Sequence, residues 1–182
     1  MTVRLLRILV LGLLGTLTVS LLTGSVAATD GGFTRYNDPE QRFTFDYPST
    51  MKVRAAGNDE VKIIHPGATL RITVLVEKRR RTTTASAEVL LDAFKKTLKA
   101  EMKDATILEE GKLPGLEGSQ GFIVCSFKDL RGIQLVQLVQ YYVTEDRVLQ
   151  MTISDRPEGF KNLEPVIRKI HQSLRILNSK LQ

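Results

Sequence analysis

The stretch that decides the fold is IQLVQLVQYYVTEDRVLQMTIS, residues 133–154. Its first half, Ile133 to Thr144, carries apolar side chains at both odd and even positions, which predicts a central strand covered on both faces. Glu145 and Asp146 predict a turn, and Arg147 to Ser154 predicts a second strand. Because so short a turn joins neighbouring strands only in antiparallel order, this stretch predicts a hairpin inside a sheet.

Further strand patterns lie on both sides of this hairpin. Phe43, Phe45 and Tyr47 alternate with polar residues and therefore share one face of a strand over Arg42–Tyr47. The other predicted strands are 61–64, 70–76, 106–112 and 120–128. His65, followed by Pro and Gly, separates the first two of these and predicts a hairpin turn.

Two segments have the helical period instead. From Ser86 to Met102 the apolar residues recur at intervals of three and four, and Ser86 is a suitable N-cap. A second stripe runs from Leu163 to Leu177, with Pro165 in its first turn. Strands, a helix, a strand meander and a final helix predict an α+β fold. We expect an antiparallel sheet of about six or seven strands with helices packed on its faces.

The N-terminus has the pattern of a secretory leader. Arg4 and Arg7 precede the apolar run Ile8–Leu22, and small residues lead to Ala28. This order predicts a signal peptide over residues 1–28, cleavage after Ala28, and a soluble periplasmic or secreted protein. The alternative is an uncleaved membrane anchor, since a spanning helix needs about 20 apolar residues. The Gly, Thr and Ser residues within the run favour cleavage.

The rest of the chain has the length of one domain. The sequence has 182 residues, so 154 follow the predicted leader, with a lead-in over 29–41 and the domain proper over 42–182. The 26 Lys and Arg and 20 Asp and Glu give the precursor a net charge of +6. Because Arg4 and Arg7 lie in the leader, the remainder carries +4, which favours a solvated surface over a polyanion site. Export and the lack of an aromatic platform argue against nucleic-acid binding, and we expect a monomer.

Three stretches carry a family resemblance. Tyr36–Pro48 follows the pattern Y-x-D-x-x-x-x-F-x-F-x-Y-P, Gln134–Ile153 is a strand meander, and Gln172–Ile176 is similar to a closing S-F-x-I with Leu174 in place of Phe. Together they resemble the PsbP family and its bacterial DcrB-like relatives over nearly all of the chain after the leader. The resemblance implies an α/β/α sandwich and a binding or assembly module rather than an enzyme.

Members of that family include extrinsic photosystem II subunits, a nuclear Ran-binding relative and envelope proteins. Many relatives place a Trp shortly after the opening pattern, whereas this chain contains no Trp. The resemblance therefore does not carry photosystem partner or metal residues over to this chain.

The sequence offers little for catalysis. We interpret His65 as a turn residue and His171 as a structural residue that flanks the packing face of the last helix. Cys125 is the single cysteine, so no disulfide forms within the chain, and its apolar run predicts a buried thiol. Glu109 and Glu110 are strand neighbours that point to opposite faces and cannot form an acid–base pair.

No catalytic residue, metal ligand or cofactor is therefore predicted. In particular, calcium binding at Glu145 and Asp146 is disfavoured, because calcium takes more oxygen ligands than this turn supplies.

One basic run remains as a candidate site: Lys78, Arg79, Arg80 and Arg81. It is either a solvated loop that blunts a sheet end or a docking patch for an envelope protein or an anionic membrane surface. The predicted function is an exported, non-enzymatic binding module of the cell envelope. Two alternatives stay open, a small-molecule or lipid carrier and a periplasmic hydrolase with a site that the sequence does not reveal.

Overall fold

The computed structural model describes residues 32–55, 59–79, 86–112 and 119–177. The predicted leader with Ala28 lies outside these ranges, as do Arg80 and Arg81 of the basic run. Within them, no helix is both long enough and apolar enough to cross a membrane.

The described ranges form ten strands and three helices. The strands are β1 (Phe33–Asn37), β2 (Phe43–Pro48), β3 (Lys52–Ala55), β4 (Glu60–Ile64), β5 (Arg71–Lys78), β6 (Lys103–Gly111), β7 (Ser119–Lys128), β8 (Gln134–Val143), β9 (Arg147–Asp155) and β10 (Arg175–Ile176). The helices are α1 (Ala87–Glu101), α2 (Pro157–Asn162) and α3 (Glu164–Ser173).

Two antiparallel sheets organise these elements. The larger has seven strands in the order β3-β4-β5-β9-β8-β7-β6, and the smaller has the order β1-β2-β10. The predicted central hairpin is confirmed, since Val143 pairs with Val148 where β8 turns into β9. The predicted hairpin of β4 and β5 is confirmed as well, with Ile64 opposite Arg71. The predicted α+β class is therefore correct.

The large sheet has a separate apolar core on each face. On one face, Phe94 and Leu98 of α1 pack over β6, β7 and β8. On the other face, the small sheet and α3 form the covering layer. Strand β8 contributes to both cores, with Leu138 in one and Val139 in the other, which confirms that it is covered on both sides.

Helix α1 forms where its sequence pattern predicts it. Ser86 caps it, because its hydroxyl accepts a hydrogen bond from the Val89 amide. Lys99 lies in the last turn, where a positive charge suits the helix dipole. The helix comes close to β7 at Gly121, since a Cβ built there would lie 2.7 Å from Leu91 Cδ1. A side chain at position 121 would therefore require the Leu91 side chain to move.

The prediction of one final helix through Leu177 is wrong. Over this segment α3 begins at Glu164, close to the predicted start, but ends at Ser173, and a separate short helix that the sequence pattern does not indicate, α2, precedes it. The Ser173 hydroxyl donates to the Ile170 carbonyl and accepts from the Asp46 amide, which ties the end of the helix to β2. The chain then continues as β10, which pairs with β2.

The strand predicted at Arg42–Tyr47 is β2, and it lies in the smaller sheet, whose existence the sequence does not predict. Its aromatic face explains this placement. Phe43 and Phe45 are buried against the large sheet, so β2 packs on that sheet instead of extending it. β1 and β10 satisfy its two edges.

Candidate functional site

The candidate site is a cleft between the helices α2 and α3 and the strands β6, β7 and β8. We call it the α3 cleft. It has a volume of about 290 Å³, close to the lower end of the range for small-molecule pockets, about 300–1,000 Å³. Its apolar lining comprises Leu108, Val124, Val136, Leu138, Pro157, Phe160 and Ile167, and its charged lining comprises Glu109, Lys161, Glu164 and Arg168.

The floor of the cleft follows from strand pairing. Val124 and Leu138 are register partners on β7 and β8, so their side chains lie together on one face. Ile167 on α3 faces them and is buried. Leu108 stands at the mouth, where the pairing of β6 with β7 shifts between Ile107 and Glu109. This irregularity leaves the Leu108 side chain outside the packing, with 56% of it exposed.

The rim of the cleft is an ion-pair network centred on Arg168. Its Nη2 lies 2.9 Å from Glu109 Oε2 and 2.9 Å from Glu164 Oε1. The hydrogen bonds from Arg168 hold the pKa of Glu109 below its ordinary value. Glu109 therefore remains ionised at neutral pH, and Arg168 balances its charge.

Glu109 and Glu110 lie on opposite faces of β6, as the sequence predicts. Glu109 binds Arg168 on α3, whereas Glu110 binds Lys95 on α1, with 2.9 Å between Lys95 Nζ and Glu110 Oε2. The two side chains thus contact different layers of the sandwich. They cannot act as a catalytic pair.

Two buried polar side chains lie next to residues of the cleft but are not part of its lining. His171 is one helical turn beyond Ile167, is 1% exposed, and has its ring 5.2 Å from the ring of Phe122. Gln140, the register partner of Phe122, is fully buried. Among the described residues, His171 Nδ1 and both amide atoms of Gln140 have no hydrogen-bond partner.

Burial also determines the protonation of His171. Together with the positive charge of Arg168, it lowers the pKa of His171 to about 4. The prediction that His171 only flanks the packing face is wrong, because α3 turns this residue directly toward the sheet.

His65 and Cys125 lie where the sequence predicts them. His65 is part of the β4–β5 turn, and its Nδ1 accepts a hydrogen bond of 3.2 Å from the Gly67 amide. Cys125 is fully buried, and burial raises the pKa of its thiol to about 12. Within the described ranges, no three His, Cys, Asp or Glu side chains are grouped so that they could hold a metal ion.

The acidic residue of the opening pattern has a structural role. Asp38 is buried between β1 and β2 and accepts a hydrogen bond of 2.8 Å from Arg42 Nε. Arg42 also donates to Asp59 at 2.8 Å, which joins this loop to the start of β4. A cavity of about 210 Å³ lies beside these residues. Arg42 binds three of the carboxylates that line this cavity, so these residues hold β1, β2 and the start of β4 together.

The basic run is only partly described. Lys78 ends β5 and is exposed. Arg79 is fastened to the β8–β9 turn, since its amide donates to the Asp146 carbonyl and its Nη1 to the Thr144 carbonyl, both at 2.7 Å. A docking role for Lys78, Arg79, Arg80 and Arg81 stays a prediction.

Arg168 is not predicted from the sequence as a site residue. The only local signal is its spacing of four residues from Glu164, which is typical of any solvated helix. Its contact with Glu109 spans 59 positions of the chain, and the sequence gives no indication of it.

The architecture is that of a PsbP-like α/β sandwich. The cyanobacterial PsbP of Synechocystis superposes with a TM-score of 0.58 at 13% identity, covering 85% of this chain and 98% of that protein. The Ran-binding protein Mog1p of Saccharomyces cerevisiae has a TM-score of 0.58 at 10% identity, covering 84% and 99%.

A third similar structure is LpqN of Mycobacterium tuberculosis, which is involved in cell envelope biogenesis. Its TM-score is 0.55 at 14% identity, and the alignment covers 83% of this chain and 87% of LpqN. No protein-family model matches this sequence, and no curated protein does. At these identities the similarities establish a PsbP-like fold, which confirms the fold that the sequence resemblance implies.

Proposed function

We propose that this protein is an exported, non-catalytic binding module of the cell envelope that holds an apolar group of a protein partner in the α3 cleft. The proposal is supported mainly by one observation, an apolar cleft with Leu108 exposed at its mouth. Exposed apolar surface rimmed by polar residues is typical of interaction sites. The balanced rim of Glu109 and Arg168 would exclude water from a bound apolar group.

The chemistry of the cleft favours binding over catalysis. A general acid needs a pKa near the working pH, whereas Arg168 keeps Glu109 ionised. Glu164 is bound to the same guanidinium. His171 is neutral at pH 7 and buried, and neither His171 nor His65 is part of the cleft lining. These features argue against the hydrolase alternative.

Two further observations support an envelope role. The N-terminal residues have the pattern of an export leader, and LpqN, which shares the fold, is involved in cell envelope biogenesis. Export has its own test. N-terminal sequencing of the protein from the periplasmic or secreted fraction should begin at Thr29, and a chain beginning at Met1 in the membrane fraction would replace cleavage with an anchor.

Cross-linking in cells tests the binding site. A photoreactive benzoylphenylalanine is placed at Leu108, and the control carries it at Val89, which is similarly exposed (55%) on α1. We expect one discrete protein adduct from position 108 that is absent from position 89. The adduct should weaken when Val136→Phe fills the floor of the cleft, provided that circular dichroism shows an intact fold. No adduct, or the same adduct from both positions, would reject the cleft as the partner site.

A small apolar ligand is the second candidate occupant, favoured by the volume of the cleft. Native mass spectrometry of the protein purified from its own envelope separates this candidate from the first. A bound small molecule that Val136→Phe removes would support a carrier. If the purified protein carries no small molecule, the proposal of a protein partner stands.

The basic run offers a second contact in the same role. Replacing Lys78, Arg80 and Arg81 with Gln leaves Arg79 and its backbone contacts in place. If the run helps to hold an acidic partner, the adduct at position 108 should become weaker and more sensitive to salt. An unchanged yield at low salt would reject the patch.

A further inference from the structure

We propose that one half of the seven-stranded sheet is a docking surface for an anionic lipid bilayer. This open face consists of the outward side chains of β3, β4 and β5 at their basic end: Lys52, Arg54, Lys62, Ile64, Arg71 and Thr73. It is separate from the α3 cleft, so either proposal can fail alone.

The pairing of the strands places these residues on one surface. Lys52 is opposite Ile64, and Ile64 is opposite Arg71, which makes one row across three strands. The next row is formed in the same way by Arg54, Lys62 and Thr73. The side chains between these rows, such as Ile63 and Ile72, point into the core on the other face.

Helix α1 does not shield this half of the sheet. It packs against β6, β7 and β8. The side chains of Lys52 and Arg54 are exposed, and those of Ile64, Arg71 and Thr73 are half-exposed. The surface is therefore a flat sheet face rather than a pocket.

The charges on this surface are unbalanced. Lys62 has a salt bridge with Glu60, but among the described residues Lys52, Arg54 and Arg71 have none. Arg71 is also partly withdrawn from water and lies near a second guanidinium, that of Arg131, and both effects lower its pKa. A partly desolvated cation beside a like charge gains most from an external anion.

The arrangement fits a bilayer better than a single small anion. A small anion needs donors that converge, whereas these cations spread over three strands spaced about 4.8 Å apart. β5 also has an acidic residue, Glu77, on this side. Glu77 lies six residues from Arg71, about 20 Å along the strand, so the basic end of the surface can contact a membrane while Glu77 remains away from it. Ile64 between Lys52 and Arg71 adds apolar contact at the headgroup level.

Vesicle binding provides the first test. The purified full chain is mixed with phosphatidylcholine vesicles and with vesicles containing equal parts of phosphatidylglycerol, and the readout is the increment in binding that the anionic lipid causes. The variant is Lys52→Gln/Arg54→Gln/Arg71→Gln. The matched control, Lys96→Gln/Lys99→Gln/Lys103→Gln, removes the same charge from exposed positions in and just after α1.

We expect the open-face variant to lose about 100-fold of this increment, since each basic residue near an anionic surface contributes about fivefold. The control should lose less than tenfold. The wild-type increment should shrink between about 0.1 M and about 1 M salt, where the Debye length falls from about 10 Å to about 3 Å. Equal losses in both variants would show that vesicle binding depends only on the net charge of the protein, which would overturn the proposal.

A second measurement works even if the N-terminal apolar run inserts into vesicles by itself. Because the chain has no Trp, Thr73→Trp places a single indole on the open face, and Val89→Trp places one on the exposed side of α1. Brominated anionic lipid should quench the indole at position 73 and not the one at position 89. Equal quenching at both positions would overturn the proposal. Absence of quenching at position 73 would also overturn it, and this is the result expected if the open face binds an acidic protein instead.

Discussion

Arg168 on α3 and Glu109 on β6 form a salt bridge across the mouth of the α3 cleft, with 2.9 Å between Arg168 Nη2 and Glu109 Oε2. The pair connects the last long helix to the edge strand of the large sheet. It also balances the charge at the rim, so an apolar group can enter without facing an isolated ion. The side chains are 39% and 38% exposed, so solvent screens their attraction.

The first prediction concerns this pair. A double-mutant cycle of Glu109→Gln and Arg168→Gln, measured by urea unfolding, should give a coupling of about 0.5 kcal/mol at pH 7. Because the pKa of Glu109 is lowered in the folded state, the coupling is present above the unfolded pKa of about 4.3 and is lost as the pH falls through the folded value. A coupling that is absent at pH 7, or that persists in strong acid, would contradict the assignment.

The second prediction concerns Gly159 in α2. A Cβ at this position would lie 2.5 Å from Asp155 Oδ2. Asp155 is buried and accepts hydrogen bonds from the Thr69 hydroxyl and the Arg156 amide. Gly159→Ala should therefore lower the free energy of unfolding by about 1–2 kcal/mol, although alanine favours a helix.

Gly67 is the matched control for this substitution, because a Cβ there meets nothing within 4 Å. Gly67→Ala should be close to neutral in the same thermal or urea unfolding. If the two variants unfold alike, the close contact between Gly159 and Asp155 does not constrain the backbone.

The sequence predicts the elements that depend on local pattern. The apolar run of β8, the N-cap at Ser86 and the turn at His65 each depend on a few neighbouring residues, and each is confirmed. The burial of Cys125 is predicted for the same reason, since its whole strand is apolar.

Features that depend on distant partners are not predicted. The two-residue strand β10 exists only because β2 offers a free edge beside it, and the stripe that continues to Leu177 conceals the end of α3. The α3 cleft requires Leu108 and Arg168 to meet from segments 60 residues apart, and each residue alone is typical of a surface. The burial of His171 follows from which face of α3 meets the sheet.

The third prediction concerns Cys125. The thiolate is the reactive form of cysteine. Burial raises the pKa of the Cys125 thiol to about 12 and also keeps reagents from reaching the sulfur. A thiol reagent such as Ellman's reagent should label the native protein only as fast as it unfolds, so that urea accelerates the labelling. A Cys125→Ser/Val89→Cys variant, with an exposed thiol on α1, should react without urea. Equal rates for the two native proteins would show that Cys125 is accessible.

The fourth prediction concerns the pH dependence of stability, which His171 should dominate below neutral pH. Its folded pKa of about 4 lies below the ordinary value of 6.5, so the unfolded chain takes up a proton first as the pH falls. The free energy of unfolding should therefore fall by about 3 kcal/mol between pH 7 and pH 4, at 1.36 kcal/mol per pKa unit, and this contribution should level off below pH 4.

Replacement by Leu removes the titrating group and its unpaired Nδ1, so His171→Leu should flatten this decline while retaining stability at pH 7. His65→Gln, which removes the imidazole in the β4–β5 turn, is the control and should keep the wild-type decline. A steep decline that survives in His171→Leu would assign the pH dependence to the carboxylates instead.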